Sequence, residues 1–197
     1  MTKVKICGLF RECDIDFVNG AMPDYIGFVF AKSPRQVSAE TARLLRSRLH
    51  PGIVSVGVFV NAEQEEILRL CEAHIIETVQ LHGQEDDRYI KALKSRAGIP
   101  VIKAVCMDTV KPQHVLSSEA DFLLFDSGKG GTGKAFDWER IPAISKPYFL
   151  AGGIHEANIR EAVRMHPYCV DLSSGAETNG VKDKNKILRL VREVREN

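Results

Sequence analysis

Cys7-Gly8, His82-Gly83, Asp126-Ser127, Gly152-Gly153 and Ser173-Ser174-Gly175 each close a short run rich in Val, Ile, Leu or Phe. An ionised thiol can act as a base, a desolvated carboxyl as a proton donor, and backbone lacking Cβ atoms can be approached closely by an anion. These groups recur where an extended segment stops. In open sheets and barrels of parallel strands, the space beyond the carboxyl ends of the strands is where ligands bind. The chain therefore carries the material for acid-base chemistry on a small anion.

Taken singly, each group keeps two readings. Asp126 ends Phe122-Leu123-Leu124-Phe125-Asp126, and its four apolar neighbours would raise its pKa toward a value useful to a general acid; the alternative is a turn cap before Ser127-Gly128. Cys7 is either an inert buried thiol or a base whose thiolate is favoured by a cation such as Lys5. Gly152, Gly153, Ser173, Ser174 and Gly175 read as a phosphate grip of backbone N–H groups, or as residues of tight turns. Such a grip needs no cation, so Lys182, nearby in the chain, is expected to be dispensable to it. Arg35, in Ser33-Pro34-Arg35, is suited to a bidentate grip on a carboxylate, or is a solvated loop charge. His82 lacks the company of a metal-ligand set and is expected to be a satisfied or donating histidine, with no metal implied. The stretch Gly128 to Ala135 nearly spells a P-loop, but Ala135 stands where the Mg²⁺-binding hydroxyl is needed and Pro142 leaves no long helix behind it. Its glycines read instead as a lid.

A repeated unit must position these residues. Extended runs begin near Val4, Tyr25, Ser55, Thr78, Val101, Phe122, Tyr148 and Cys169, one in roughly every two dozen residues. Helical patterns cover Ser38 to Leu49, Ala62 to His74, Glu85 to Arg96, Glu156 to Met165 and Asn185 to Val194, the last with Ile187, Leu188, Val191 and Val194 on one stripe. Strands separated by helices need crossover connections and a parallel sheet. The pattern predicts an α/β fold, a compact (β/α)8 TIM barrel forming a single domain over residues 1–197. Pro23, Pro112, Pro142 and Pro147 predict abbreviated helices in the first, fifth and sixth units. Strand alternation places Lys5, Gln80, His82, Lys103, Asp126 and Asp171 on the interior face. Because first and last strands adjoin in a closed barrel, Lys5 and Asp171 are expected to pair, unless they face the helices and snorkel outward.

Composition narrows the partners. With 44% hydrophobic and 27% charged residues in 197, the chain is ordinary and globular. A net charge of +1 supplies no global field for nucleic acid or an anionic membrane, so any anion must meet a local site. No apolar stretch reaches the roughly 20 residues of a membrane span, and Met1 to Cys7 lacks the apolar core of a signal peptide. The expected location is the cytoplasm, with neither membrane nor nucleic acid as partner. The cysteines are odd in number and form no C-x-x-C, which argues against a disulfide framework or a zinc knuckle; Cys13, Cys71, Cys106 and Cys169 are expected to fill core space.

Lys5-Ile6-Cys7-Gly8-Leu9, Gly27-Phe28-Val29-Phe30, Ser33-Pro34-Arg35, Gly57-Val58-Phe59-Val60-Asn61, Val79-Gln80-Leu81-His82-Gly83, Asp126-Ser127, Gly130-Gly131-Thr132-Gly133-Lys134, Leu150-Ala151-Gly152-Gly153 and Asp171-Leu172-Ser173-Ser174-Gly175 follow one another along nearly the whole chain. In that order they resemble the successive motifs of the phosphoribosylanthranilate isomerase family. Phe10 stands where that family usually has a small hydroxyl residue, and Ala176 where a branched aliphatic is commoner. The resemblance implies a (β/α)8 barrel of tryptophan biosynthesis that performs an Amadori rearrangement on a small phosphorylated substrate, without metal or organic cofactor, as a monomer or homodimer. It further implies that Asp126 is the general acid and Cys7 the general base. Substrate phosphate would lie at Gly152, Gly153, Ser173, Ser174 and Gly175 and its carboxylate at Arg35, and His82 would also bind substrate. Three rivals differ in kind. A related barrel using two aspartates is opposed by Cys7, and an indole-closing barrel lacks its lysine and glutamate pair here. A non-catalytic phosphate-binding barrel is left to assay.

Overall fold

The computed structural model describes residues 1–108, 117–128 and 136–196. Eight parallel strands hydrogen-bond in chain order: β1 (Lys3–Cys7), β2 (Tyr25–Val29), β3 (Val54–Phe59), β4 (Thr78–Leu81), β5 (Val101–Cys106), β6 (Phe122–Asp126), β7 (Tyr148–Leu150) and β8 (Cys169–Leu172). β8 returns to β1 and closes the predicted barrel, placing Lys5 opposite Asp171. Around it lie α1 (Glu12–Ala21), α2 (Ala39–Ser47), α3 (Gln64–Glu72), α4 (Asp87–Ala97), α5 (Ile159–Arg164) and α6 (Lys184–Glu196). No helix among the described residues is long and apolar enough to cross a membrane.

Local chemistry explains the element ends. The Ser38 hydroxyl accepts the Thr41 N–H at 3.0 Å to start α2, and Asp86 accepts the Tyr89 N–H at 2.8 Å to start α4. Glu85, expected inside that helix, stands before it. The first unit is not abbreviated as expected: α1 has 10 residues. Asp14 accepts the backbone N–H groups of Phe10 and Arg11 at its start, and Met22 in the left-handed region ends it, so Pro23 falls outside the helix. Between β6 and β7, the described residues form only a 3₁₀ turn, Trp138–Arg140. Pro112 and the lid residues 129–135 lie outside the described residues. On α6 the buried stripe is Ile187, Leu190, Val191 and Val194; Leu188 is exposed, because the i, i+3, i+4, i+7 face passes through position 190.

Two apolar layers follow from the alternation. Tyr25, Val56, Ile102, Leu124, Phe149 and Cys169 are among those that fill the barrel, while the opposite strand faces pack on the helices. Ile102 and Ala104 face inward, so Lys103 faces outward, contrary to expectation, and its ammonium meets Glu85 at 2.8 Å and the Gly83 carbonyl at 2.7 Å. Cys71 and Cys169 are buried, whereas Cys13 and Cys106 are only half-buried. After β8 a small hairpin pairs β9 (Glu177–Thr178) with β10 (Val181–Lys182). Its turn, Asn179-Gly180, has positive φ at both residues, as a tight hairpin turn of this hand requires.

Candidate active site

A cleft of about 430 Å³ opens at the carboxyl ends of the strands. Its wall includes Cys7, Arg35, His82, Asp126, Gly152, Gly153, Ser173 and Ser174, which brings together all the expected site residues but Gly175. Gly175 serves the wall from behind: a Cβ there would lie 1.9 Å from the Ile154 carbonyl oxygen, so its bare Cα lets the loops after β7 and β8 pack together. Among the described residues, no group of three or more His, Cys, Asp or Glu is gathered to hold a metal.

On one wall, β1 presents Lys5 and Cys7 on the same face. The Lys5 ammonium, fully buried, meets the Asp171 carboxylate at 2.8 Å, as expected from the adjoining strands. The pair makes the burial tolerable. Burial bears hardest on the Lys5 cation, but Asp171 and the Cys7 thiol outweigh it and hold its pKa above the ordinary lysine value. Of the two readings of Cys7, the free site does not favour the one in which Lys5 draws out the thiolate. Burial pushes the thiol up, Asp171 adds to this, and the pull of Lys5 and Lys182 is too small to reverse it. Lys5 is already committed to a carboxylate.

Behind Cys7 lies a network that sequence reasoning missed. Arg35 donates through Nε and Nη2 to both Glu177 oxygens, each at 2.7 Å. Glu177 also pairs with Lys182, whose ammonium donates to the Ser173 carbonyl at 3.1 Å. Lys182 is therefore no stray loop cation but a buried link between the hairpin and the end of β8. Burial pushes its pKa below the ordinary lysine value despite Glu177, whereas burial acts to raise Glu177, which is served by two cations and ends below the usual carboxylate range. The signal was available: Asn179-Gly180 predicts a hairpin that sets positions 177 and 182 opposite each other.

On the facing wall, the β6 carboxylate of Asp126 accepts the Ser127 N–H at 2.7 Å and lies 3.3 Å from His82 Nε2. Burial raises its pKa as anticipated, but the bond and charge of His82, with the Ser127 donors, outweigh burial and hold it below the usual carboxylate range. The expectation of a raised pKa is corrected: His82, just past the end of β4, and not the apolar neighbours on β6, decides it. Gly152, at φ 83°, makes room for this arrangement, since a Cβ there would lie 2.7 Å from the Ser127 nitrogen and 3.0 Å from an Asp126 oxygen. Gly153 follows at φ 66°, and neither glycine N–H pairs with an acceptor among the described residues.

A thiol and a carboxylate facing each other across the mouth of a closed (β/α)8 barrel, with backbone donors and an arginine at the rim, define a barrel enzyme suited to acid-base chemistry on a small anion. The family model described as N-(5'phosphoribosyl)anthranilate (PRA) isomerase matches residues 4–193. An N-(5'-phosphoribosyl)anthranilate isomerase of Endomicrobium trichonymphae is 52% identical over 201 residues, covering 99% of both chains. The crystal structure of a phosphoribosyl anthranilate isomerase from Thermus thermophilus superposes with a TM-score of 0.89 at 33% identity, over 99% of each chain. Another isomerase of that name, solved with reduced 1-(o-carboxyphenylamino)-1-deoxyribulose 5-phosphate, superposes at 0.81 with 32% identity over 100% of each. The chain belongs to the N-(5'-phosphoribosyl)anthranilate isomerase family.

Proposed function

We propose that this chain converts N-(5'-phosphoribosyl)anthranilate to 1-(2-carboxyphenylamino)-1-deoxyribulose 5-phosphate in tryptophan biosynthesis, with Asp126 as general acid and Cys7 as general base. The observation that carries this reading is the placement of these two groups at the ends of β6 and β1, both facing one cleft. The substrate phosphate lies against the loops bearing Gly152, Gly153, Ser173, Ser174 and Gly175, and the anthranilate carboxylate against Arg35. Asp126 protonates the ring oxygen as its bond to C1 breaks, and the anthranilate nitrogen closes an iminium. The Cys7 thiolate then takes the C2 proton, and the resulting enolamine tautomerises to the ketose.

The protonation states give this mechanism a definite character. In the free site the thiol of Cys7 is raised and the carboxyl of Asp126 lowered, so the proton sits on the base and is missing from the acid. Reaction requires the reverse arrangement. Each pKa unit between the pair reduces the working fraction about tenfold. A phosphate and a carboxylate arriving with substrate raise Asp126, and the iminium charge then favours the Cys7 thiolate. The test is loss of anthranilate fluorescence on mixing with substrate. Cys7→Ala is expected to lose several orders of magnitude in kcat, and Asp126→Asn about 10²- to 10⁴-fold, with KM little changed. More than about a tenth of wild-type kcat in Asp126→Asn sinks the acid assignment. Phosphate binding with a silent wild-type assay would favour the non-catalytic barrel.

A further inference from the structure

Gln80 on β4 and His82, the residue just past its end, lie two positions apart and share the interior face, and Gln80 is only 1% exposed. Gln80 Nε2 lies 3.1 Å from His82 Nδ1, and on the far side of the ring His82 Nε2 lies 3.3 Å from Asp126 Oδ2. A neutral imidazole carries one N–H and one lone pair, and an ionised carboxylate can only accept. Whenever the His82 ring is neutral, the hydrogen must therefore sit on Nε2, leaving Nδ1 as an acceptor. The Gln80 amide supplies the N–H that this acceptor needs. Turned over, the amide would offer its oxygen to Nδ1, draw the hydrogen there, and leave two lone pairs facing each other between Nε2 and Asp126.

The arrangement has a cost that a space-filling role does not explain. Gln80 Oε1 is buried without a hydrogen-bond partner among the described residues. An unpaired buried acceptor is destabilising, and a leucine or methionine would fill the same space without it. We infer that Gln80 is a positioning residue for the acid step, donating to His82 Nδ1 so that the ring stays in the Nε2–H tautomer and stabilises the Asp126 carboxylate left when its proton is given up. This rests on Asp126 being the acid. A hydrogen bond to the charged form favours the state reached after proton donation, which is the state the transition state approaches.

The experiment reads the tautomer directly, by long-range ¹H–¹⁵N correlation of the His82 ring at about pH 8.5, well above the ordinary imidazole pKa of about 6.5. Wild type is expected to show a protonated Nε2 and a bare Nδ1. Gln80→Met keeps the length and removes the donor, and Gln80→Glu keeps the shape and offers only acceptors, so the former should release the tautomer and the latter draw the hydrogen to Nδ1. Both should lower kcat about tenfold or more with KM within about threefold, and neither should lower it further in an Asp126→Asn background. A protonated Nδ1 in wild type overturns the inference whether or not either variant folds. So does an unchanged tautomer or kcat in both folded variants while Asp126→Asn is inactive. An active Asp126→Asn enzyme beside shifted tautomers in the Gln80 variants instead removes the acid reading and leaves the control of His82 standing.

Discussion

Gly27 is the residue of β2 paired with Cys7, and the structure leaves no room for a methyl group there. A Cβ at Gly27 would lie 2.6 Å from Cys7 Sγ, 3.2 Å from its Cα and 3.3 Å from its Cβ. Ordinary contacts of this kind fall at about 3.5 to 4.0 Å, so Gly27→Ala must drive the sulfur about 1 Å away or part the strands. Rotating the thiol relieves only the first contact, and the Gly8 and Leu9 N–H groups, both donating to the Gly27 carbonyl at 2.9 and 3.1 Å, hold the strand ends together. Overpacking of this kind costs about 1 to 3 kcal/mol, and a misplacement of about 1 Å at a reacting group can cost about 10²-fold in rate. Gly27→Ala is therefore expected to fold with a lowered urea midpoint and to lose about 100-fold in kcat, with KM nearly unchanged. Steady-state fluorescence kinetics, urea unfolding and mass-resolved alkylation of Cys7 check the three parts. A variant with kcat within threefold of wild type and an unshifted urea midpoint would refute the steric argument.

Other outcomes follow from the rim. Arg35→Ala should weaken anthranilate-bearing ligands by tenfold or more while sparing inorganic phosphate, measured by calorimetry; equal losses for both would take Arg35 away from the carboxylate end. Lys182→Met should lower stability toward the about 3 to 5 kcal/mol typical of breaking a buried pair, reduced because Arg35 still serves Glu177; an unchanged urea midpoint would show the pair to be idle. Although burial raises them, Glu177 and Glu85 are held below the usual range, chiefly by Arg35 with Lys182 and by Lys103 respectively. Each carboxylate thus adds stability above the unfolded glutamate pKa of about 4.3 and loses it as pH falls through the lower folded value. Urea midpoints should hold from about pH 7 to 5 and drop below about 4.3, and Glu177→Gln should flatten that drop; wild-type steepness in the variant would remove Glu177 from the acid response.

Much of the barrel, and which strand ends share the candidate cleft, were legible in the chain because both depend on short-range periodicity. A period of two along Val4 to Cys7, Phe122 to Asp126 and Cys169 to Ser173, interrupted by helical stretches, is enough to set Cys7, Asp126 and Asp171 on one inner face. Closure then makes the first and last strands neighbours, and the Lys5 to Asp171 pair follows. Lys103 and Leu188 went astray because one position of phase moves a side chain from one face to another and the local pattern leaves that phase open there. The family motifs named the residues of the candidate site, but not the charge each one carries. That was decided by tertiary structure: His82 comes from just past β4 to lower Asp126 on β6, Asp171 on β8 takes up Lys5 on β1, and Glu177 reaches Arg35 from a hairpin 142 residues along the chain. A pKa is a sum over burial and every nearby charge, and those neighbours arrive from strands whose positions exist only once the barrel has closed.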